Sequence, residues 1–563
     1  MPGGLMQLVG VGAQDQLTTG NPTFTNFKSM YRKHTRFAME HFQLPFRGTD
    51  LNAPITNQKT LRCKIDRNAD LLHDIYLMVN LPDIWSPLRE IPGADPEALT
   101  GNAAAYEFQW IKNIGYNLIE TASVLINGSE IVRYTGEYLK FLSYTKHDRN
   151  KRFIVDKMVG NEAELYDPAN ANGRTGNYPN AIQLPNTTLM PQPSIKGRQL
   201  CIPLHFWFCE HVGKALPLIA LQYAEVEISI TFRNIYQLFT INDPIVSSPT
   251  YGTRIAGNPG STNYNISNFL SPPDVAGVAT NPDLANWSLN PYIEANYVFL
   301  AEGERQMFAQ NDHGYLIPES RLTSKEQQYG NTFTDIGMFN LVTRILIAYQ
   351  RSDRLAVNDW DNYTNWEDPN VAPLIASSGT PGQNLASSGL QQPDASIRRD
   401  ILQQAYLEFD GKERFKEKPT SFFSLLQHYR HHTGSIDQIP GLYVYSFALE
   451  HGQEQPSGSV NGSMFNKTTW RGILNTPSAI NYGTPCPSPQ PVVKTELCVY
   501  KDTVFNPSPT PVLNPAVADP NRVIAIYQTQ VANVPYTYTA KYYVESYNYL
   551  RIMSGIANIA FSS

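Results

Sequence analysis

The 563 residues are 42% hydrophobic and only 17% charged, against about 25% charge in typical soluble domains. The formal net charge is −6, with no basic tail or stripe, which argues against a chain built to neutralise many phosphates, and no direct nucleic acid binding is expected. No apolar run reaches the roughly 18 residues that a membrane span needs. The opening Met1-Pro2-Gly3-Gly4 lacks the basic-then-apolar order of a signal peptide and carries Pro where myristoylation needs Gly. The five cysteines, at 63, 201, 209, 486 and 498, are odd in number and irregularly spaced, with no CxxC. They read as reduced, buried thiols of a cytosolic chain rather than a disulfide framework or zinc site.

The chain opens on a Gly-rich, weakly apolar stretch, expected as an extended arm over 3–21. A short helix is expected after Asn21-Pro22, with Phe24, Phe27, Met30 and Tyr31 at helical spacing and Lys28, Arg32, Lys33 and Arg36 as its solvated face. Strand signals then dominate. Segments 121–126 and 129–133 flank Asn127-Gly128, a type I′ hairpin signal, because both central positions of that turn need positive φ. Gly136–Lys146 reads as a helix with Thr135 as N-cap and Glu137 in its first turn, where the helix dipole favours an acid. Ala224, Val226, Ile228, Ile230 and Phe232 alternate with polar residues, the pattern of a strand packed on one face. After the strand-like 296–300 comes a second helix, Glu302–Gln310. Segment 341–349 reads as a fully buried strand with Arg344 as an exception, and 441–449 as another.

Long Pro-, Gly-, Asn- and Ser-rich insertions at 160–197, 241–290, 352–398 and 453–492 separate these elements. Loops of this length are uncommon inside compact domains, and 241–290 and 352–398 are expected to form an outward crown. A break near 312–330 divides the chain into halves, each with strands, short helices and long loops. Two sequential β sandwiches are the natural reading.

The opening stretch 3–38, GGLMQLVGVGAQDQLTTGNPTFTNFKSMYRKHTRFA, resembles the amino terminus of major capsid proteins of nucleocytoplasmic large DNA viruses, among them the phycodnavirus, iridovirus, marseillevirus and mimivirus groups. Further matches follow in the family's order at 69–82, 123–139, 202–230, 297–317 and 441–465, and SYNYLRIMSGIANIAF at 546–561 resembles its carboxyl terminus. Asn-Gly at 127–128 replaces the family's Gly-Gly turn, and insertions 160–197, 241–290 and 352–398 have no match. The resemblance implies an all-β double jelly roll: two eight-stranded antiparallel β sandwiches in tandem, with short helices and long loop insertions. It implies an amino-terminal arm over 1–27, a first jelly roll over 28–311 and a second over 312–563. It further implies a homotrimer with a pseudo-hexagonal outline tiling an icosahedral shell in the virion. The expected partners are further trimers, minor capsid proteins and penton proteins, with an internal membrane nearby but not spanned.

Few residues suggest chemistry. His428, His431 and His432 have a spacing that can present imidazoles to one metal on a helix, but no carboxylate or thiol of matching spacing supports it, and no metal is expected. Asp359, Asp361, Glu367 and Asp368 form an acidic, Trp-rich loop that fits neither a calcium loop nor a fixed carboxylate pair, and reads as an exposed tip. Gly10-x-Gly12 lacks the strand, third Gly and Lys of a phosphate loop. No G-x-S-x-G marks a nucleophile, so neither catalytic residues nor a cofactor is expected. Of seven N-x-S/T sequons (Asn127, Asn186, Asn265, Asn286, Asn362, Asn461 and Asn466), Asn265, Asn286 and Asn362 look best placed on loops for glycosylation. Alternative readings are a minor capsid or spike protein of the same fold, a carbohydrate-binding jelly roll, or an enzyme on a β sandwich.

Overall fold

A computed structural model describes all residues except 1, 49–56, 87, 91–102, 182–191, 244–253, 262–263, 273–288, 367, 371–373, 377–383, 387–397, 435–438, 476–491, 494–496, 502–522, 529–535 and 562–563. The first half has eight principal strands: β1 (Phe37–Pro45), β2 (Lys59–Lys64), β3 (Leu71–Leu81), β4 (Ile119–Ile126), β5 (Ser129–Thr135), β6 (Arg198–Pro203), β7 (Val226–Phe232) and β8 (Tyr292–Leu300). Among the described strands of the second half, eight take the corresponding places: β9 (His313–Gln328), β10 (Asn331–Asp335), β11 (Leu341–Arg351), β12 (Leu402–Phe409), β13 (Lys412–Glu413), β14 (Leu442–Ser446), β15 (Thr468–Leu474) and β16 (Tyr538–Met553); others, such as Leu497–Lys501, Val523–Gln528 and Ile556–Ile559, add to them. The first half pairs them antiparallel as β1-β8-β3-β6 and β2-β7-β4-β5. The second half repeats both orders eight strands later, as β9-β16-β11-β14 and β10-β15-β12-β13. Among the described residues, no sheet mixes strands from before and after helix 302–310. This is the double jelly roll.

Local chemistry explains the elements. The β4–β5 turn puts Asn127 at φ 54° and Gly128 at φ 79°, the type I′ geometry that matches strand twist. In β7, Val226, Ile228, Ile230 and Phe232 face the core. The Thr135 hydroxyl accepts from Tyr138 N at 3.1 Å to cap the helix Gly136–Lys146, and Glu302–Gln310 is a second helix with the expected bounds.

In the sheet β9-β16-β11-β14, strands β11 and β14 are buried on both faces. Ile345, Ile347, Tyr349, Tyr443 and Tyr542 pack into the second half's own core, while Leu346, Ala348, Leu442, Val444 and Tyr543 join the core of the first half. Apolar residues are therefore needed at successive positions, which is why 341–349 and 441–445 lack the alternation of a half-exposed strand.

Four expectations need correction. The arm is not extended: it holds the short helices Gly3–Val9 and Gln16–Thr19, with every side chain exposed. No helix forms over 21–36, where Phe27 is 99% exposed and the apolar residues at helical spacing meet no surface. Segment 313–328 is the long strand β9 rather than a break. Its second part, Arg321 to Gln328, is polar because it runs along a sheet edge with side chains that are half-buried or exposed. The strand expected over 441–449 ends at Ser446, whose hydroxyl turns the chain by accepting from Ala448 N and donating to Ala448 O, leaving Leu449 exposed.

Candidate functional site at the seam between the halves

Where the halves meet, helix Gly136–Lys146 lies against β11 and β16. The helix starts hard against its own half: a Cβ on Gly136 would lie 2.1 Å from the carbonyl oxygens of both Ile119 and Tyr116, so only glycine fits. Tyr138, Phe141 and Tyr543 form the apolar contact, with Tyr138 stacked on Tyr543 at 5.8 Å between ring centres and Phe141 edge-on to it at 5.6 Å.

Charged groups lie within this contact. Arg344 is buried, and its Nε and Nη2 donate to Glu545 Oε2 at 2.9 and 2.8 Å. The Tyr138 hydroxyl, from the other half, donates to the same oxygen at 2.7 Å, and Arg344 Nη1 reaches Thr145 Oγ1 at 3.3 Å. Burial would push the Glu545 carboxyl up, but Arg344 and these hydrogen bonds outweigh it and hold it below the usual range. Glu137 sits in a second cluster, accepting from Lys541 Nζ at 2.9 Å, Tyr543 at 2.5 Å and Tyr363 at 2.7 Å. Burial again opposes ionisation, but Lys541, Lys140 and the Tyr543 hydroxyl hold its carboxyl at about 2. Lys140 is fully buried, ion-paired with Asp361 and bonded to the Tyr363 hydroxyl at 2.8 Å.

The acidic Trp loop is therefore not an exposed tip over 358–366, while Asp368 is exposed as expected. Asp361 is bonded to Asn113 at 2.6 Å and Asn117 at 3.2 Å, Asn358 donates to Tyr236 O and Phe239 O, and Trp360 Nε1 donates to Gln237 O. Tyr363, Asn365 and Trp366 are buried. Asp359 is half-buried, and burial pushes its carboxyl up to about 6 against the pull of Arg354 and Asn362. The loop is a plug from the second half seated on the first; Glu367 lies outside the described residues, and Asp368 follows the plug and accepts from Asn370 N.

The sequon candidates fall differently. Asn362 is 1% exposed, and its amide donates to Asp359 and Trp366 O, so the folded chain hides it from any transferase. Asn265 is half-buried: its Oδ1 accepts from Tyr236 OH and Ser267 N, and its Nδ2 donates to Pro259 O. Asn286 lies outside the described residues. The described part of insertion 241–290 is partly core, with Ile266, Phe269 and Leu270 buried and Phe269 against Phe108.

His428, His432 and His451 stack in series, with ring centres 5.3 and 4.7 Å apart, while His431 turns to Leu449 O. Burial holds His432 and His451 neutral. Among the described residues, no three His, Cys, Asp or Glu side chains are placed to hold a metal ion. Cys63 is buried, with its thiol pushed up to about 12 by burial, and Cys201 and Cys209 are half-buried and free; Cys486 and the Cys498 side chain lie outside the described residues.

The sequence reading missed Glu137, Lys140, Lys541 and Glu545 as seam residues. The available signal was a charge inside an apolar run, as with Lys140 in EYLKFLSY and Arg344 in LVTRILIAY.

Residues 25–271 match the family model for the major capsid protein N-terminus, and 304–483 match that for the large eukaryotic DNA virus major capsid protein. The chain belongs to the major capsid protein family of the large eukaryotic DNA viruses. Family relatives include the major capsid protein of Phaeocystis pouchetii virus, 29% identical over 84% of this chain and 93% of that one. That of Paramecium bursaria Chlorella virus 1 is 25% identical over the whole of both. The quasi-atomic model of the PBCV-1 capsid has the same fold, with a TM-score of 0.57 at 20% identity over 96% of this chain and 100% of that chain. So does the Faustovirus major capsid protein, with a TM-score of 0.57 at 13% identity over 98% and 96%. This member of the family is a structural protein of the virion's capsid shell.

Proposed function

We propose that three copies of this chain close into a capsomer of pseudo-hexagonal outline, and that these trimers tile an icosahedral shell. The observation that carries the reading is the repeated strand order: each chain holds two like sandwiches, so three chains bring six. The ionic seam supports treating the pair as one building unit. In this reading 28–311 and 312–563 are the two roll-bearing domains and 1–27 is an arm on the inner side. Minor capsid and penton proteins meet the trimers at their margins, and assembly takes place in the host cytoplasm. An internal membrane lies nearby and is not spanned; no described helix is long and apolar enough to cross one. The role is one of building rather than catalysis, and the net charge of −6 argues against direct contact with nucleic acid.

Light scattering on the purified protein tests the trimer. The expected mass is about 190 kDa, three times 63.2 kDa, with each subunit contact above the roughly 1,000 Å² of a biological interface. A stable 63.2 kDa monomer, both at micromolar concentration and in virion extracts, would overturn the reading.

A further inference from the structure

Residues 2–36 differ chemically from the rest of the chain. All are exposed and none pairs in a sheet. In the helix Gly3–Val9, Leu5, Met6, Leu8 and Val9 leave Gln7 as the one polar side chain beyond the opening glycines, and all four are 49–75% exposed. Phe24, Phe27, Met30 and Tyr31 are equally bare. Among and after these aromatics come Lys28, Arg32, Lys33 and Arg36, and the one acid of the stretch, Asp15, accepts from Gly12 N at 2.7 Å. The arm thus carries +3 in a chain of −6, and subtracting it leaves −9 for residues 37–563.

We propose that this arm docks on the surface of an anionic lipid bilayer. The short apolar helix would lie among the headgroups, and Lys28, Arg32, Lys33 and Arg36 would sit over the lipid phosphates. Stable attachment to a bilayer takes two signals, an insertable apolar element and a polybasic segment; the arm has both, because its four cations at 28–36 form a short basic segment that the chain's overall net charge of −6 conceals and that the reading of no basic stripe overlooked. Tyr31, between Lys28 and Arg32, suits the interface, where one end of the ring is wet and the other is not. A nucleic acid would engage the cations but give Leu5, Met6, Leu8 and Val9 nothing to bury against. A second copy of the chain offers a body of opposite charge, but two depressions on its surface mix apolar residues with charged groups such as Lys64, Asp66, Arg67 and Arg305, and capture by arm-deleted protein is an outcome that the test below distinguishes. The proposal deepens the inward-facing arm of the capsomer reading by naming what the arm touches.

Flotation of the full-length protein with phosphatidylcholine vesicles, with and without phosphatidylserine, tests it. The protein is expected to float with the anionic vesicles and to be released by salt. Removing residues 2–36 should abolish flotation while leaving the oligomer's mass otherwise intact. Two double variants keep the test valid if the deletion misfolds, because their side chains touch no core. Arg32→Gln with Lys33→Gln should weaken binding about thirtyfold, at about fivefold per cation. Leu5→Ser with Met6→Ser should weaken it more than tenfold without altering the salt dependence. No flotation of the intact protein, equal flotation without the arm, or preferential capture of the arm by DNA or by arm-deleted protein would each overturn the proposal. Vesicle binding by an arm that antibodies reach on intact virions would leave lipid docking standing and remove only the inward orientation.

Discussion

Replacing Arg344 by Met keeps most of the apolar stem but removes the three hydrogen bonds that the guanidinium makes, two to Glu545 and one to Thr145. Glu545 stays buried, with the Tyr138 and Thr343 hydroxyls as its remaining partners. Leaving a buried charge without its counterion costs about 3–5 kcal/mol. The carboxyl can escape part of that cost by taking a proton, and this gives the variant a signature. In the wild type the Glu545 carboxyl is held below its unfolded value, so its contribution is present above about 4.5 and lost as pH falls below it. Without Arg344, burial dominates and the folded carboxyl rises above its unfolded value. Its contribution is then fullest below about 4.5 and lost as pH rises through the new folded value. Urea unfolding at fixed protomer concentration, run at several pH values, reads both effects. The variant should be less stable at neutral pH, and the deficit should shrink toward acid. Replacing Arg344 and Glu545 together by Met should recover most of the loss. A single-variant cost below about 1 kcal/mol, as for an exposed pair, with no change in the pH slope, would refute the reasoning.

Two further outcomes follow from the same region. Asp359→Asn should stabilise the protein by about 1–3 kcal/mol at neutral pH: burial holds the folded carboxyl at about 6, so its contribution is fullest below 3.8 and lost as pH rises through 6. Thermal melts at pH 5 and 7 should show a smaller gap in the variant than in the wild type. Gly136→Ala, whose Cβ would meet two backbone oxygens, should cost at least the 1–3 kcal/mol of an overpacked core, read by chemical denaturation with helix content followed by circular dichroism.

Local signals in the sequence were reliable where the physics is local. The Asn127-Gly128 turn needs two positive φ values, the Thr135 cap needs one hydroxyl three residues before a backbone N–H, and β7 needs only period two. The seam was not legible, because its partners lie far apart in the chain. Tyr138 and Glu545 are separated by 407 positions and Lys140 and Asp361 by 221, and neither spacing nor composition pairs them. The Trp loop was misread because its acids and asparagines have the composition of a solvent-facing tip, whereas Asp361, Asn358 and Trp360 are satisfied by groups from the other half and Asn362 by the loop itself. The long edge strand β9 was hidden for the converse reason. An edge exposes its side chains, and TSKEQQ at 323–328 then has the polarity of a loop.

An ionic seam constrains the molecule in a way that an oily one would not. Apolar contacts are non-directional, so two sandwiches joined only by leucines could pivot by several degrees at little cost. The Arg344–Glu545 and Glu137–Lys541 contacts have fixed donor directions, and rotation of one half against the other would break several bonds at once. In a surface paved with identical tiles, a small error in the shape of each tile accumulates from neighbour to neighbour until edges no longer meet. Directional bonding inside each tile therefore limits the curvature error of a whole facet, at a distance from every contact that the tiles make with one another.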